Sequence, residues 1–199
     1  MIRQGKSNFL DVCFWGLALT LVLLVPVASA GTIGFDDIDA EDGSVAQQRY
    51  EGFQWDARWA LGHTSMPGFS GITNSGVQFL YNAGLTSNLV ISRTNPFDLL
   101  GLYLAAPDLR SRAYWVKLTA YDSSNQVIGT TGYKTIGTSP LWVGTPFTNV
   151  SRLVIDPYGG LFSIDGLQYR NTLVNLSEAG ALALFAIGLL GLWAARRRT

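Results

Sequence analysis

The 199-residue sequence is poor in the side chains from which most catalytic centres are built. It has a single cysteine, Cys13, and a single histidine, His63. A disulfide framework and a Cys/His zinc site are therefore excluded. A Ser-His-Asp triad would have to use His63, which lies in the loop-like stretch Gly62-His63-Thr64-Ser65 with no Gly-x-Ser-x-Gly elbow beside it. Glutamate is scarce between residues 31 and 170, where only Glu41 and Glu51 occur. A glycoside hydrolase needs two carboxyl groups held across a cleft. Asp56, Asp98 and Asp122 are further carboxylates, but nothing in their spacing pairs any two of them. No Gly-rich loop leads into a helix, so a nucleotide cradle has no support, and no Asp-x-Asp-x-Asp-Gly loop marks an EF-hand. No long stretch carries apolar residues at helical spacing in the middle of the chain.

Charge is also sparse, at 14% of residues, and its distribution matters more than its sum. The formal net charge is zero. Five basic residues, Arg3, Lys6, Arg196, Arg197 and Arg198, lie at the ends. Without the two end segments, nine basic residues face twelve acidic ones. The middle is thus mildly acidic and has no basic stripe to hold phosphates, which argues against nucleic acid as a partner.

What is present begins at the termini. Arg3 and Lys6 precede the apolar run WGLALTLVLLVPV (residues 15–27) and the small-x-small site Ala28-Ser29-Ala30. This is the three-part layout of a secretory signal peptide over residues 1–30, with cleavage expected after Ala30. Cleavage there removes Cys13 and leaves a chain without a thiol. At the other end, Ala179 to Ala195 carry no charge. Seventeen helical residues reach about 25 Å, the short limit for a bilayer span. Arg196, Arg197 and Arg198 follow at once, and basic flanks stay on the cytoplasmic side. The expected arrangement is a C-terminal transmembrane helix over 179–199 with its domain outside.

The ending SEAGALALFAIGLLGLWAARRRT resembles a PEP-CTERM sorting signal, which joins a short polar motif to an apolar helix and an arginine cluster. The family motif is Val-Pro-Glu-Pro. This chain has Leu176-Ser177-Glu178-Ala179, which keeps the glutamate and replaces both prolines. The resemblance implies an exported protein that passes through an inner-membrane precursor. It also implies an exosortase-type processing enzyme as partner, a final place at the cell surface or outside the cell, and association with exopolysaccharide. The sorting-motif residues are then Ser177, Glu178 and Ala179, and the membrane stop is Arg196 to Arg198.

Between the ends, residues 31–170 read as one domain, followed by a linker at 171–178. Short segments rich in Val, Ile, Tyr, Phe, Trp and Thr alternate with Gly and Ser, the pattern of an all-β domain. Expected strands include YEGFQWDARWA, NLVISRT, LLGLYLAA in a segment bounded by Pro96 and Pro107, and SRLVIDPY and LFSIDGLQY around the turn Pro157-Tyr158-Gly159-Gly160. The clearest unit is AYWVKLTAYDSSNQVIGTTGYKTI, read as a hairpin closed by Asp122-Ser123-Ser124-Asn125. On its first strand Val116, Leu118 and Ala120 share the expected core face, and Trp115, Lys117, Thr119 and Tyr121 the other. Many short strands without disulfides favour a jelly-roll-like β-sandwich. The segments Phe35-Asp36-Asp37, Tyr50-Glu51-Gly52-Phe53-Gln54-Trp55 and Ile164-Asp165-Gly166-Leu167 also resemble the β-sandwich domains found in front of PEP-CTERM tails.

Two sets of candidate site residues follow. If the first and last strands are neighbours, Asp36 meets Asp165, and carbonyl oxygens complete a structural calcium site. Exposed aromatic rings on a sheet stack on sugars, and Trp55, Trp59, Trp115 and Tyr121 are the candidates. The expected function is that of a non-catalytic exported surface or matrix protein associated with polysaccharide. The alternatives are a structural or adhesive module that binds protein, and a secreted hydrolase using carboxylates.

Overall fold

The computed structural model describes residues 30–38, 49–83 and 88–172. The expected signal peptide up to Ser29, Asp39, Glu41, the sorting motif Ser177-Glu178-Ala179, the apolar span and Arg196 to Arg198 lie outside the described residues.

Ten strands follow in order: β1 (Ala30–Ile33), β2 (Arg49–Tyr50), β3 (Phe53–Trp55), β4 (Trp59–His63), β5 (Gln78–Asn82), β6 (Leu89–Ala105), β7 (Trp115–Tyr121), β8 (Val127–Thr135), β9 (Leu141–Tyr158) and β10 (Ser163–Asn171). All their pairings are antiparallel. The main path runs β4-β5-β10-β6-β9-β7-β8. The all-β expectation holds: the strands form one continuous ten-stranded antiparallel sheet that folds over a shared core as a β-sandwich.

Two long strands carry the architecture. β6 and β9 pair along nearly their whole length, from Leu89↔Ile155 to Leu104↔Leu141. Their register slips between Ser92 and Phe97 and twice more before Gly101. Bulges of this kind bend a strand and increase its twist. From Phe97 onward the other edge of β6 pairs with β10, while Ile91 and Ser92 pair with β3. The last part of β9 pairs with β7. One ladder therefore serves both layers.

The alternation of β9 shows how the core survives the bend. Val143, Thr145 and Phe147 are buried, then Val150, then Leu153 and Ile155. Left-handed Asn149 (φ 59°) lies at the first change of phase. Asn tolerates that conformation better than most side chains. Val143, Phe147, Val150, Leu153 and Ile155 thus join one continuous core with Trp59, Phe97, Val116 and Phe162.

The hairpin formed as expected. Val116, Leu118 and Ala120 are buried. Asp122 Oδ1 accepts from the backbone N–H groups of Ser124 and Gln126 at 2.9 Å each, which closes the turn. Three expectations need correction. NLVISRT and LLGLYLAA are parts of the single strand β6, because Pro96 falls in the register slip, where no ladder bond is owed. YEGFQWDARWA is three strands rather than one. Glu51 (φ 52°) and Gly52 (φ 76°) turn the chain between β2 and β3. Asp56 then accepts from the Arg58 backbone N–H at 3.0 Å and turns it again before β4. Finally, β9 begins at Leu141, well before the expected SRLVIDPY.

The side chain of Asp165 is a deeply buried polar anchor. It is 1% exposed. Its carboxylate accepts from the N–H groups of Asn74 (2.8 Å), Ser75 (2.9 Å) and Gly166 (2.7 Å), and from the Ser75 hydroxyl. Hydrogen bonds to a charged acceptor contribute more than neutral ones. Replacing Asp165 by Asn turns an amide N–H₂ toward these donors. Asp165→Asn is expected to lower unfolding stability by on the order of 3 kcal/mol, read from urea midpoints.

Candidate functional site

The outer face of β7 and its neighbours presents the largest group of exposed aromatic rings described. Trp115 (41% exposed) lies opposite Tyr158 (59%) across the β7–β9 ladder. Their ring centroids are 5.0 Å apart at 30°. Exposed Tyr114 adjoins Trp115 at 6.4 Å. Farther along β7, Lys117 Nζ lies 3.2 Å from Asp156 and 5.1 Å above the ring of exposed Tyr133. The hydrogen bond to Asp156, followed by the influence of Tyr133, holds the Lys117 ammonium above the usual lysine range. At the far end, the Arg152 guanidinium covers Tyr121 at 3.9 Å and donates to Asn125 Oδ1.

The strand pattern explains this grouping. Alternation places Trp115, Lys117 and Tyr121 opposite the buried Val116, Leu118 and Ala120. The same rule on β9 buries Leu153 and Ile155 and turns Asp156 and Tyr158 outward. Cross-strand neighbours then meet on one face. Flat rings beside a charged pair suit a ligand with an apolar face and hydroxyl edges.

The four predicted stacking residues therefore divide. Trp115 is exposed, with Tyr158 packed beside it. Tyr121 lies on the same side, but Arg152 occupies one of its faces. Trp55 and Trp59 are corrected: they are 4% and 0% exposed and pack edge to face at 6.4 Å in the core. A fully enclosed ring offers no surface to a sugar. Tyr158 and Tyr114 were missed. Tyr158 falls in the expected turn at 157–160, but the alternation Arg152, Val154, Asp156, Tyr158 places it on the outer side.

The Asp36–Asp165 pairing is also corrected. β1 and β10 are indeed neighbours, with Ile33 opposite Leu167. The two carboxylates nevertheless grip a loop rather than converge on a cation. Asp165 holds Asn74 and Ser75, while Asp36 Oδ1 accepts from the N–H groups of Val77 (2.7 Å) and Gln78 (3.0 Å). The donors around them carry the wrong sign for calcium, which needs six to eight oxygens. Among the described residues no three His, Cys, Asp or Glu side chains are gathered for a metal.

Next to Asp36 is an open cleft of about 270 Å³, lined by Thr32, Gly34, Asp37, Tyr50 and Glu51 among others. The Tyr50 hydroxyl lies 2.9 Å from Gly34 O and also contacts the Asp37 carboxylate. Burial first, then the Asp37 hydrogen bond and the surrounding carboxylates, push the Tyr50 phenol far above its ordinary range. His63 is bonded within its own loop, its Nδ1 meeting the Ser65 hydroxyl at 2.8 Å and the Ser65 N–H at 3.0 Å. The carboxylates considered for hydrolysis have other tasks. Asp56 binds Arg58, Asp98 binds Arg170, and Asp122 closes the hairpin.

No protein family matches the sequence, and neither does any curated protein. Among solved structures, the chain is similar to the module CBM51 from Clostridium perfringens GH95 in complex with methyl-galactose. The identity is 12% and the TM-score 0.35, over 70% of this chain and 99% of the module. So distant a likeness assigns no residue here to a ligand.

Two measurements check this partition. Trp59→Ala is expected to cost about 3–5 kcal/mol of unfolding stability, and Trp115→Ala about 1 kcal/mol or less. A folded-state phenol raised above its unfolded value contributes stability that is full below about pH 10 and falls as pH rises beyond it. Tyr50→Phe should therefore lessen the loss of stability between about pH 9 and about pH 11, followed by urea unfolding.

Proposed function

We propose that this is a non-catalytic exported protein whose sandwich domain binds polysaccharide through the Trp115–Tyr158 face. The observation that carries the reading is the pair of neighbouring, tilted, exposed rings on a sheet whose other side is core. Burying an aromatic ring against the C–H face of a pyranose removes apolar area from water, while Lys117, Asp156 and the Tyr133 hydroxyl supply edge hydrogen bonds. The engagement of Asp56 and Asp98 by arginines and the local bonding of His63 favour binding over hydrolysis.

The ends of the chain belong to the same proposal. The signal-like start and the PEP-CTERM-like ending would send the protein through the inner membrane to the surface or matrix, where exopolysaccharide is the ligand at hand. Ser177, Glu178 and Ala179 would be read by the processing enzyme, and Arg196 to Arg198 would hold the precursor in place.

Affinity electrophoresis of the full chain through gels containing neutral bacterial exopolysaccharide tests the reading. The protein is expected to be retarded, and Trp115→Ala to weaken binding at least about tenfold, a loss of about 1.4 kcal/mol. Unretarded migration of the native protein in every polysaccharide would overturn it.

A further inference from the structure

A second aromatic platform lies at the other end of β9. Trp142 is next to the start of this strand, sixteen residues before Tyr158. It is 38% exposed, and its ring centroid lies 4.9 Å from that of Tyr103 across the β6–β9 ladder. The seat beneath the indole is unusual. Gly101 and Gly144 are cross-strand partners, and a Cβ added to Gly101 would overlap the six-membered ring of Trp142. One added to Gly144 would lie 3.2 Å from the indole nitrogen. The ring therefore lies along the sheet over a pair of glycines. Gly101, at φ 154°, has a backbone conformation that side chains rarely adopt. This indole thus rests on bare backbone while the residue stays exposed to solvent.

A polar group stands near its partner ring, Tyr103. Tyr103 packs against Gly166, where a Cβ would be 3.1 Å from its ring and 3.8 Å from Asn74 Nδ2. Asn74 is exposed, and its backbone is fixed by the buried carboxylate of Asp165. Two paired rings thus share one face, and the amide of Asn74, on an anchored backbone, lies on the Gly166 side of Tyr103, with no charged group in the set. Indole and phenol rings match the C–H faces of a sugar, and an amide donates to and accepts from its hydroxyls.

We infer that Trp142, Tyr103 and Asn74 form a second saccharide site for uncharged pyranose residues, which makes the domain bivalent. The inference rests on the polysaccharide reading proposed above. Two sites on one rigid domain hold a long glycan more tightly than either alone, or join two strands of it. The ring itself binds, so Trp142→Phe should retain much of the affinity that Trp142→Ala loses.

The test uses the full-length protein in detergent, with soluble neutral galactan, glucan and mannan as probes in affinity gels. Light scattering of the same mixtures reports cross-linking. The native protein should be retarded and should raise the scattering. Trp142→Ala and Trp115→Ala should each weaken retardation about tenfold or more and abolish cross-linking, and the double variant should migrate freely. Thermal melting confirms that each variant is folded. If Trp142→Ala behaves as native while Trp115→Ala abolishes retardation, the second site is overturned and the first stands. If the native protein binds none of the probes, both readings fall.

Discussion

The β6–β9 ladder is the constraint on which the rest of the structure depends. Seventeen residues of β6 and eighteen of β9 run antiparallel through both layers of the sandwich. A ladder that long can close on one core only if it bends, and it bends where the register slips around Pro96, Leu99 and Asn149. Each slip restores the inward phase of the apolar residues that follow. Everything else attaches to this frame, with β3 and β10 on the free edge of β6, β5 and β4 beyond β10, and β7 and β8 on the free edge of β9. Both aromatic platforms are set by it too, since β9 carries Trp142 at one end and Tyr158 at the other.

The domain spends its aromatic residues in two ways. Inside, Phe35, Trp55, Trp59 and Phe162 form a chain of edge-to-face contacts. Such contacts fill a core that has no disulfide to brace it. Outside, Tyr114, Trp115, Tyr158, Tyr103 and Trp142 lie on faces whose opposite sides are core. The carboxylates are divided as firmly. Asp165 and Asp36 fasten the loop before β5 through its backbone N–H groups, while Asp156 pairs with Lys117 on the outer face. Among the described residues, these acidic side chains hold loops and pair with basic partners.

Much of this was legible in the sequence, and the failures have physical causes. The hairpin from Trp115 to Thr135 was readable because strict alternation and a polar turn point the same way. The strand class was readable for the same reason. Trp55 and Trp59 misled because alternation within one segment says only that residues share a face, not which face is buried. A turn at Asp56 also breaks that segment. Pro96 misled because proline ends a strand only where a ladder bond is required, and a bulge releases that requirement. The acidic pair Asp36 and Asp165 was correctly brought to one end of the domain by the adjacency of the first and last strands. Its true partner, the backbone of residues 74–78, is invisible to composition, since every residue has an N–H.

The central claim is that the outward rings bind sugar and the inward rings do not. Tryptophan indole N–H resonances of the full chain, followed by NMR as neutral exopolysaccharide fragments are added, test it most directly. The account predicts that the Trp115 signal moves with saturable dependence on ligand, while those of Trp55 and Trp59 stay in place. An unmoved Trp115 signal under conditions where the fragments bind would contradict it.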